Sequence, residues 1–152
     1  MLRHAFNWKK LSICSAIGYR WDGRQCRLFF RIVSDSYDSE KLIDFVSQLR
    51  REFHGRKVIL VWDGLPAQRS RLMTAFLTHQ SKWLTVVRLP PYAPELNPVE
   101  GVWGNIQGQE LANRCSDDPG GMVDGVRDGF ARIRSQSCLP LSFLKHAGLS
   151  FG

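Results

Sequence analysis

No run of about 18 apolar residues occurs in the 152-residue chain, so a membrane-spanning helix is not expected. The opening, Met1-Leu2-Arg3-His4-Ala5-Phe6-Asn7, lacks the apolar stretch of a secretory signal, and a cytoplasmic protein is expected. Cysteine is sparse and irregular: Cys14, Cys26, Cys115 and Cys138 form no CxxC pair and have no His-x-x-x-His companion, which argues against zinc. They read as small, buried apolar residues in a reducing compartment. His4, His54, His79 and His146 show no ligand or triad spacing, and there is no internal repeat or low-complexity tract. What is present, 43% hydrophobic and 23% charged residues, is ordinary for one soluble domain spanning residues 1–152, long enough to bury a core without cross-links. Net charge is +7, and it is uneven: through Phe76 there are 14 Lys and Arg against 7 Asp and Glu, and from Leu77 onward 7 against 7. A basic first half, which includes Lys9 and Lys10, suits a polyanion such as nucleic acid.

Along Leu11–Tyr19, large apolar residues (Leu11, Ile13, Ile17, Tyr19) alternate with small ones (Ser12, Cys14, Ala16, Gly18), the period of a strand. Asp22-Gly23 reads as a two-residue hairpin turn, after which Cys26, Leu28, Phe30 and Ile32 resume the alternation. Counting outward from the turn pairs Tyr19 with Cys26, Ile17 with Leu28 and Ile13 with Ile32, giving one apolar face and one small-residue face. Asp38 is placed to cap a helix whose apolar stripe is Leu42, Phe45, Val46, Leu49 and Phe53, stopped by Gly55. Val58–Trp62 is an unbroken apolar run, the pattern of a strand buried on both faces. A helix over about 67–80, with Leu72, Met73, Phe76 and Leu77 on one side, and a strand over 83–89 complete a parallel pair with a crossover. Four of the seven prolines fall in Pro90–Pro98, a stiff connector leading into Asn97-Pro98-Val99-Glu100, which has the N-cap, N1 proline and N3 glutamate of a helix start. That helix is expected to reach about Leu111, followed by one marked by Met122, Val126, Phe130 and Ile133, with Pro140 interrupting the tail.

Two acids stand out. Asp63 closes a buried strand, where ligands of α/β sheets bind, although alone it reads as a turn residue. Glu100 alone is explained by the capping box. Together, one at a strand end and one on a helix start delivered by a rigid connector, they are placed to meet. Two such carboxylates repel unless a divalent cation lies between them, and hard oxygen ligands favour magnesium or manganese. Arg69 and Arg71, just beyond Asp63, are placed to meet phosphates, or are simply solvated. Gly101, Gly104 and Gly108 each cost roughly 1 kcal/mol in a helix interior, which points to close backbone approach.

The segments Val61–Ser70 (VWDGLPAQRS) and Leu89–Trp103 (LPPYAPELNPVEGVW) closely resemble the second and third acidic motifs of DDE-superfamily transposases of the mariner-like bacterial insertion-sequence type, with 100 − 63 − 1 = 36 residues between the acids. The resemblance runs from about Leu2 to the last helix. It implies a ribonuclease-H-like mixed sheet flanked by helices, a two-metal magnesium or manganese site that uses Asp63 and Glu100 as the second and third carboxylates, and DNA cleavage and strand transfer. Partners implied are transposon ends, target DNA, and further transposase copies in a homo-oligomer or an assembly with intact transposase, at the bacterial nucleoid. Lys9, Lys10, Arg69 and Arg71 are the expected DNA contacts. The sequence also departs from the family. The first Asp of the family lies on a strand upstream of the one matched by Leu11–Tyr19, and this sequence starts too late to include it; Asp22 and Asp35 are not placed to substitute. Gln68 stands where His is common, and Gln107 where Lys is common. In this fold the absent strand is the central one, so its two neighbours are expected to carry unpaired apolar edges that invite aggregation. The chain is therefore expected to be incomplete and inactive alone; the alternative is a non-catalytic DNA-binding or regulatory fragment.

Overall fold

The structure, a computed structural model, describes residues 11–63, 66–112, 114, 118–136 and 138–150. Its contacts divide into two compact units, residues 1–35 with 94–152, and residues 36–93.

In the first unit, β1 (Leu11–Tyr19) and β2 (Cys26–Ser34) form an antiparallel hairpin in which Tyr19 faces Cys26, Ile17 faces Leu28 and Ile13 faces Ile32, the expected register. The turn is longer than expected. Arg20 N–H bonds to Gln25 O (2.9 Å) and Gly23 N–H to Arg20 O (2.9 Å), so Trp21 and Asp22 are the central turn residues and Gly23 follows at φ +69°. A four-residue loop built on such a turn keeps the register because it is centred on the same point as the two-residue turn. The apolar hairpin face packs on α3 (Pro98–Gly108) and α4 (Pro119–Ser135), around Leu28, Val102, Ile106, Val126, Phe130 and Ile133. Phe130 stacks on Phe30 (4.0 Å between centroids, 11° between planes) and meets Trp103 edge-on at 5.5 Å, arrangements favoured by ring quadrupoles. A Cβ on Gly129 of α4 would lie 2.6 Å from Ile106 Cγ1, so glycine lets the two helices close up. Pro140 does not interrupt the tail: it lies in the first turn of α5 (Leu139–His146), where proline lacks only a donor that has no helical partner. Tyr19 Oη donates to Pro140 O at 2.7 Å, tying the hairpin to α5.

In the second unit, α1 (Ser39–Glu52) is capped by Asp38, whose Oδ1 accepts from Lys41 N–H at 2.9 Å, and buries Leu42, Phe45, Val46 and Leu49. Gly55 follows at φ +74°. β3 (Val58–Trp62) pairs in parallel with β4 (Leu84–Arg88), and each sheet of the described residues has two strands. Between them the expected single helix is broken into a 3₁₀ turn (Pro66–Arg69) and α2 (Arg71–His79), because Ser70 caps α2 by accepting from Met73 N–H at 3.1 Å. Met73 is fully buried, but Leu72 is 51% exposed, which corrects its assignment to the apolar side. The expectation that β3 is buried on both faces also fails. Trp62 is buried, whereas Ile59 and Val61, whose side chains alternate with it to the opposite face of the strand, are 70% and 44% exposed, so that face is not covered by the described residues. Cys14 and Cys26 are half-buried and Cys138 is exposed, so the buried positions expected of the cysteines are not found for these three; Cys115 lies outside the described residues. No helix among the described residues is long and apolar enough to cross a membrane.

Candidate functional site

Asp63 is the first residue beyond β3. The ladder continues to the strand end, where Leu89 N–H bonds to Trp62 O at 2.8 Å, so the Asp63 backbone leaves a fully hydrogen-bonded strand. Its side chain is exposed and has no hydrogen bond or ion pair among the described residues. Beside it, the buried Trp62 indole N–H is without an acceptor there. Arg69 and Arg71 flank the cap of α2 and are both exposed. Cations at a helix N-terminus oppose the macrodipole, by about 0.3–1 kcal/mol each. Their position is thus no gain for the helix and suits an approaching anion. Gln68 is buried in the 3₁₀ turn.

Glu100 is delivered as expected. A 3₁₀ turn at Pro94–Leu96 leads into Asn97, whose N–H bonds to Pro94 O at 2.9 Å and whose Oδ1 accepts from Val99 N–H at 3.3 Å. Glu100 is therefore the third residue of α3. It is exposed, while Val102 and Ile106 face the core. The helix is held at both ends. Near its start, a Cβ on Gly101 would lie 2.6 Å from Phe143 Cδ1, the close approach expected of that glycine. Gly104 and Gly108 have nothing within 4 Å and serve no such packing. Beyond its end, Arg132 of α4 makes a bidentate pair with Glu110, Nε to Oε1 and Nη2 to Oε2 at 3.0 Å, and also bonds to Asn105 Oδ1 at 2.5 Å. The guanidinium holds the Glu110 carboxyl below the usual glutamate range. Sequence reasoning missed this clamp, because residues 22 positions apart carry no spacing signal. Gln107 is exposed on α3.

Asp63 thus belongs to the second unit and Glu100 to the first. Within neither unit do three or more described His, Cys, Asp or Glu side chains gather into a metal-binding group. Asp63 and Glu100 each present an exposed carboxylate, a hard oxygen donor of the kind that magnesium and manganese prefer. Lys9 and Lys10 lie outside the described residues.

Residues 3–119 match the sequence model of the DDE superfamily endonucleases, a stretch that includes both carboxylates, and the chain belongs to that family. Its fold is that of a transposase catalytic domain of the ribonuclease-H-like kind. The Mos1 mariner transposase catalytic domain superimposes with a TM-score of 0.56 at 14% identity over 96% of this chain and 84% of that one. Structures of the same domain and raltegravir with magnesium and with manganese give TM-scores of 0.56 and 0.57, also at 14% identity over 96% of this chain, and cover 85% and 84% of those chains. No protein of curated description matches.

Proposed function

We propose that the chain serves as the catalytic domain of a DNA transposase, with Asp63 and Glu100 as carboxylates that hold magnesium or manganese for DNA strand cleavage and transfer. The observation that carries this reading is the family match spanning both carboxylates, each of which is exposed at the anchored end of its element. A bound two-metal centre supplies Lewis-acid stabilisation and an activated nucleophile. The chain's part is to hold its two carboxylates as oxygen donors and to bring Arg69, Arg71, Lys9 and Lys10 against DNA phosphates, at transposon ends and target, in an assembly of transposase copies at the bacterial nucleoid.

The first carboxylate of the set, in this reading, comes from a strand supplied outside these residues, and the chain alone does not cleave. The sheet supports it. Val58 N–H and Trp62 C=O both bond toward β4, so the alternation of a parallel ladder turns the backbone groups of Ile59 and Val61 to the other edge of β3, ready for another strand. The two-stranded sheets also favour the second reading, a non-catalytic fragment that binds DNA or competes with intact transposase.

Manganese-dependent nicking of labelled DNA separates these. We expect none from the chain alone, nicking once a segment carrying an aspartate-bearing apolar strand is restored, and its loss in Asp63→Asn and in Glu100→Gln. Nicking that survives both substitutions overturns the site. Nicking by the chain alone, lost in Asp63→Asn, keeps the transposase and removes the incompleteness. Salt-sensitive binding that never proceeds to cleavage, with the strand restored, establishes the fragment.

A further inference from the structure

The tip of the β1–β2 hairpin places a large ring where the fold makes no use of it. Trp21 is 81% exposed, at a central turn position where small or polar residues are usual. An indole buries up to about 250 Å² when it serves a core, so this one contributes little to stability. The turn beneath it is rigid. Asp22 Oδ1 accepts from Arg24 N–H at 3.1 Å, its Oδ2 pairs with Arg20 Nε at 3.2 Å, and two backbone bonds close the loop between Arg20 and Gln25. Asp22 thus fixes the loop while using up its own charge on Arg20. Residues 20–27 hold three arginines and one aspartate, a formal +2, and Arg24 and Arg27, three and six positions along the chain from Trp21, are exposed.

We infer that this hairpin tip is a second DNA-contact site, distinct from the carboxylate-bearing elements: the Trp21 indole stacks on an unpaired base, and Arg24 and Arg27 hold the flanking phosphates. Every base offers a π-face, and stacking on an aromatic side chain is worth about 1–3 kcal/mol per base. An unpaired base needs no prior unstacking, so strand ends and distorted duplex are favoured over intact duplex. A rigid turn adds to this because little side-chain or loop freedom is lost on binding. The inference rests on DNA being the substrate and adds where, and in which form, DNA is gripped.

The test is fluorescence anisotropy on the full chain, with one labelled duplex that is blunt and one of the same sequence bearing a short unpaired 3′ end, each over a range of salt. Wild type is expected to bind the unpaired end more tightly. Trp21→Ala should weaken that binding by roughly 5- to 150-fold, the fold-change of the stacking energy above, and leave blunt duplex unaffected, while Trp21→Phe retains part of the preference. Replacing Arg24 and Arg27 by Ala should each reduce the salt slope on the unpaired strand by about 0.7. Because the ring is exposed, Trp21→Ala should melt at the wild-type temperature, which separates lost contact from lost fold. Wild-type DNA binding with no change in Trp21→Ala overturns the tip and leaves the transposase reading standing. An equal loss on blunt and unpaired DNA overturns base stacking. Failure of the wild type to bind either DNA overturns this inference together with the DNA substrate. Loss of self-association in Trp21→Ala, with DNA binding intact, makes the ring a protein contact and likewise overturns it.

Discussion

Replacing Glu110 by Gln should loosen the helix that carries Glu100. In the wild type the Arg132 guanidinium spans both Glu110 carboxylate oxygens and Asn105 Oδ1, joining the segment after α3 and the middle of α3 to α4. The side chains of Arg132 and Glu110 are 23% and 13% exposed, so the pair falls between an exposed ion pair, worth about 0–1 kcal/mol, and a buried one, whose breaking costs about 3–5 kcal/mol. Gln keeps the shape and one acceptor oxygen but removes the charge and one of the two parallel hydrogen bonds. A loss of about 2 kcal/mol follows, or roughly 4–8 °C of melting temperature for a cooperative chain of this length. Urea titration at neutral pH measures it directly. A double-mutant cycle with Arg132→Met isolates the pair: if the contact is real, the two losses should fall short of additivity by about 1–2 kcal/mol. The loss also depends on pH. The folded-state carboxyl binds its proton more weakly than the unfolded one, so the contribution of the pair is complete above the ordinary glutamate range and disappears as pH falls through the lowered folded value. The difference between wild type and Glu110→Gln should therefore narrow on acidification. A Glu110→Gln protein within about 0.5 kcal/mol of wild type at neutral pH, or strictly additive single losses, would refute the clamp.

Two further outcomes follow from local geometry. Gly101→Ala drives a methyl group to 2.6 Å from the Phe143 ring and should destabilise by about 1 kcal/mol net, overpacking of about 1–3 kcal/mol less the helix-propensity gain, whereas Gly104→Ala meets nothing and should stabilise by up to about 1 kcal/mol; equal signs in urea titration would contradict the packing at Gly101. Tyr19, whose hydroxyl donates to Pro140 O, has its ionisation pushed above the usual tyrosine range, chiefly by burial, so in an absorbance titration it should ionise only as the fold is lost at high pH, and Tyr19→Phe should cost about 1 kcal/mol; ionisation of all three tyrosines near pH 10 in the folded protein would contradict this.

Much of the local structure was legible because its signals are short-range. The hairpin register follows from alternation about Asp22-Gly23, and the start of α3 from Asn97, Pro98 and Glu100, where cap and proline act within one turn. A short-range signal misleads where another signal competes with it. Ser70 splits the helix read over 67–80, since its hydroxyl offers the backbone a new start just after the 3₁₀ turn. Proline signals a break and a first helical turn equally well, and Pro140 takes the second role. The Arg132 clamp and the Gly129–Ile106 contact were invisible in principle, because each joins residues whose proximity exists only after α3 and α4 have packed.

The carboxylates and β3 show where that limit matters for function. A run such as Val58–Trp62 encodes that its side chains avoid water, but not which element covers them, and hydrophobic burial is non-directional. In its own unit the strand finds cover for Trp62 and leaves Ile59 and Val61 outward, with their backbone groups on the edge away from β4. The backbone edge and the outward face are separate features: a further strand hydrogen-bonded to the groups of Ile59 and Val61 would extend the ladder beside Asp63, the first residue past it, whereas covering the side chains of Ile59 and Val61 takes an element packed on the face of the sheet. A strand added at that edge is therefore expected to raise stability through its ladder bonds, and to raise metal-dependent cleavage as well only if it carries a carboxylate of the proposed set; cleavage gained with no change in melting temperature would mean that the strand does not pair with β3.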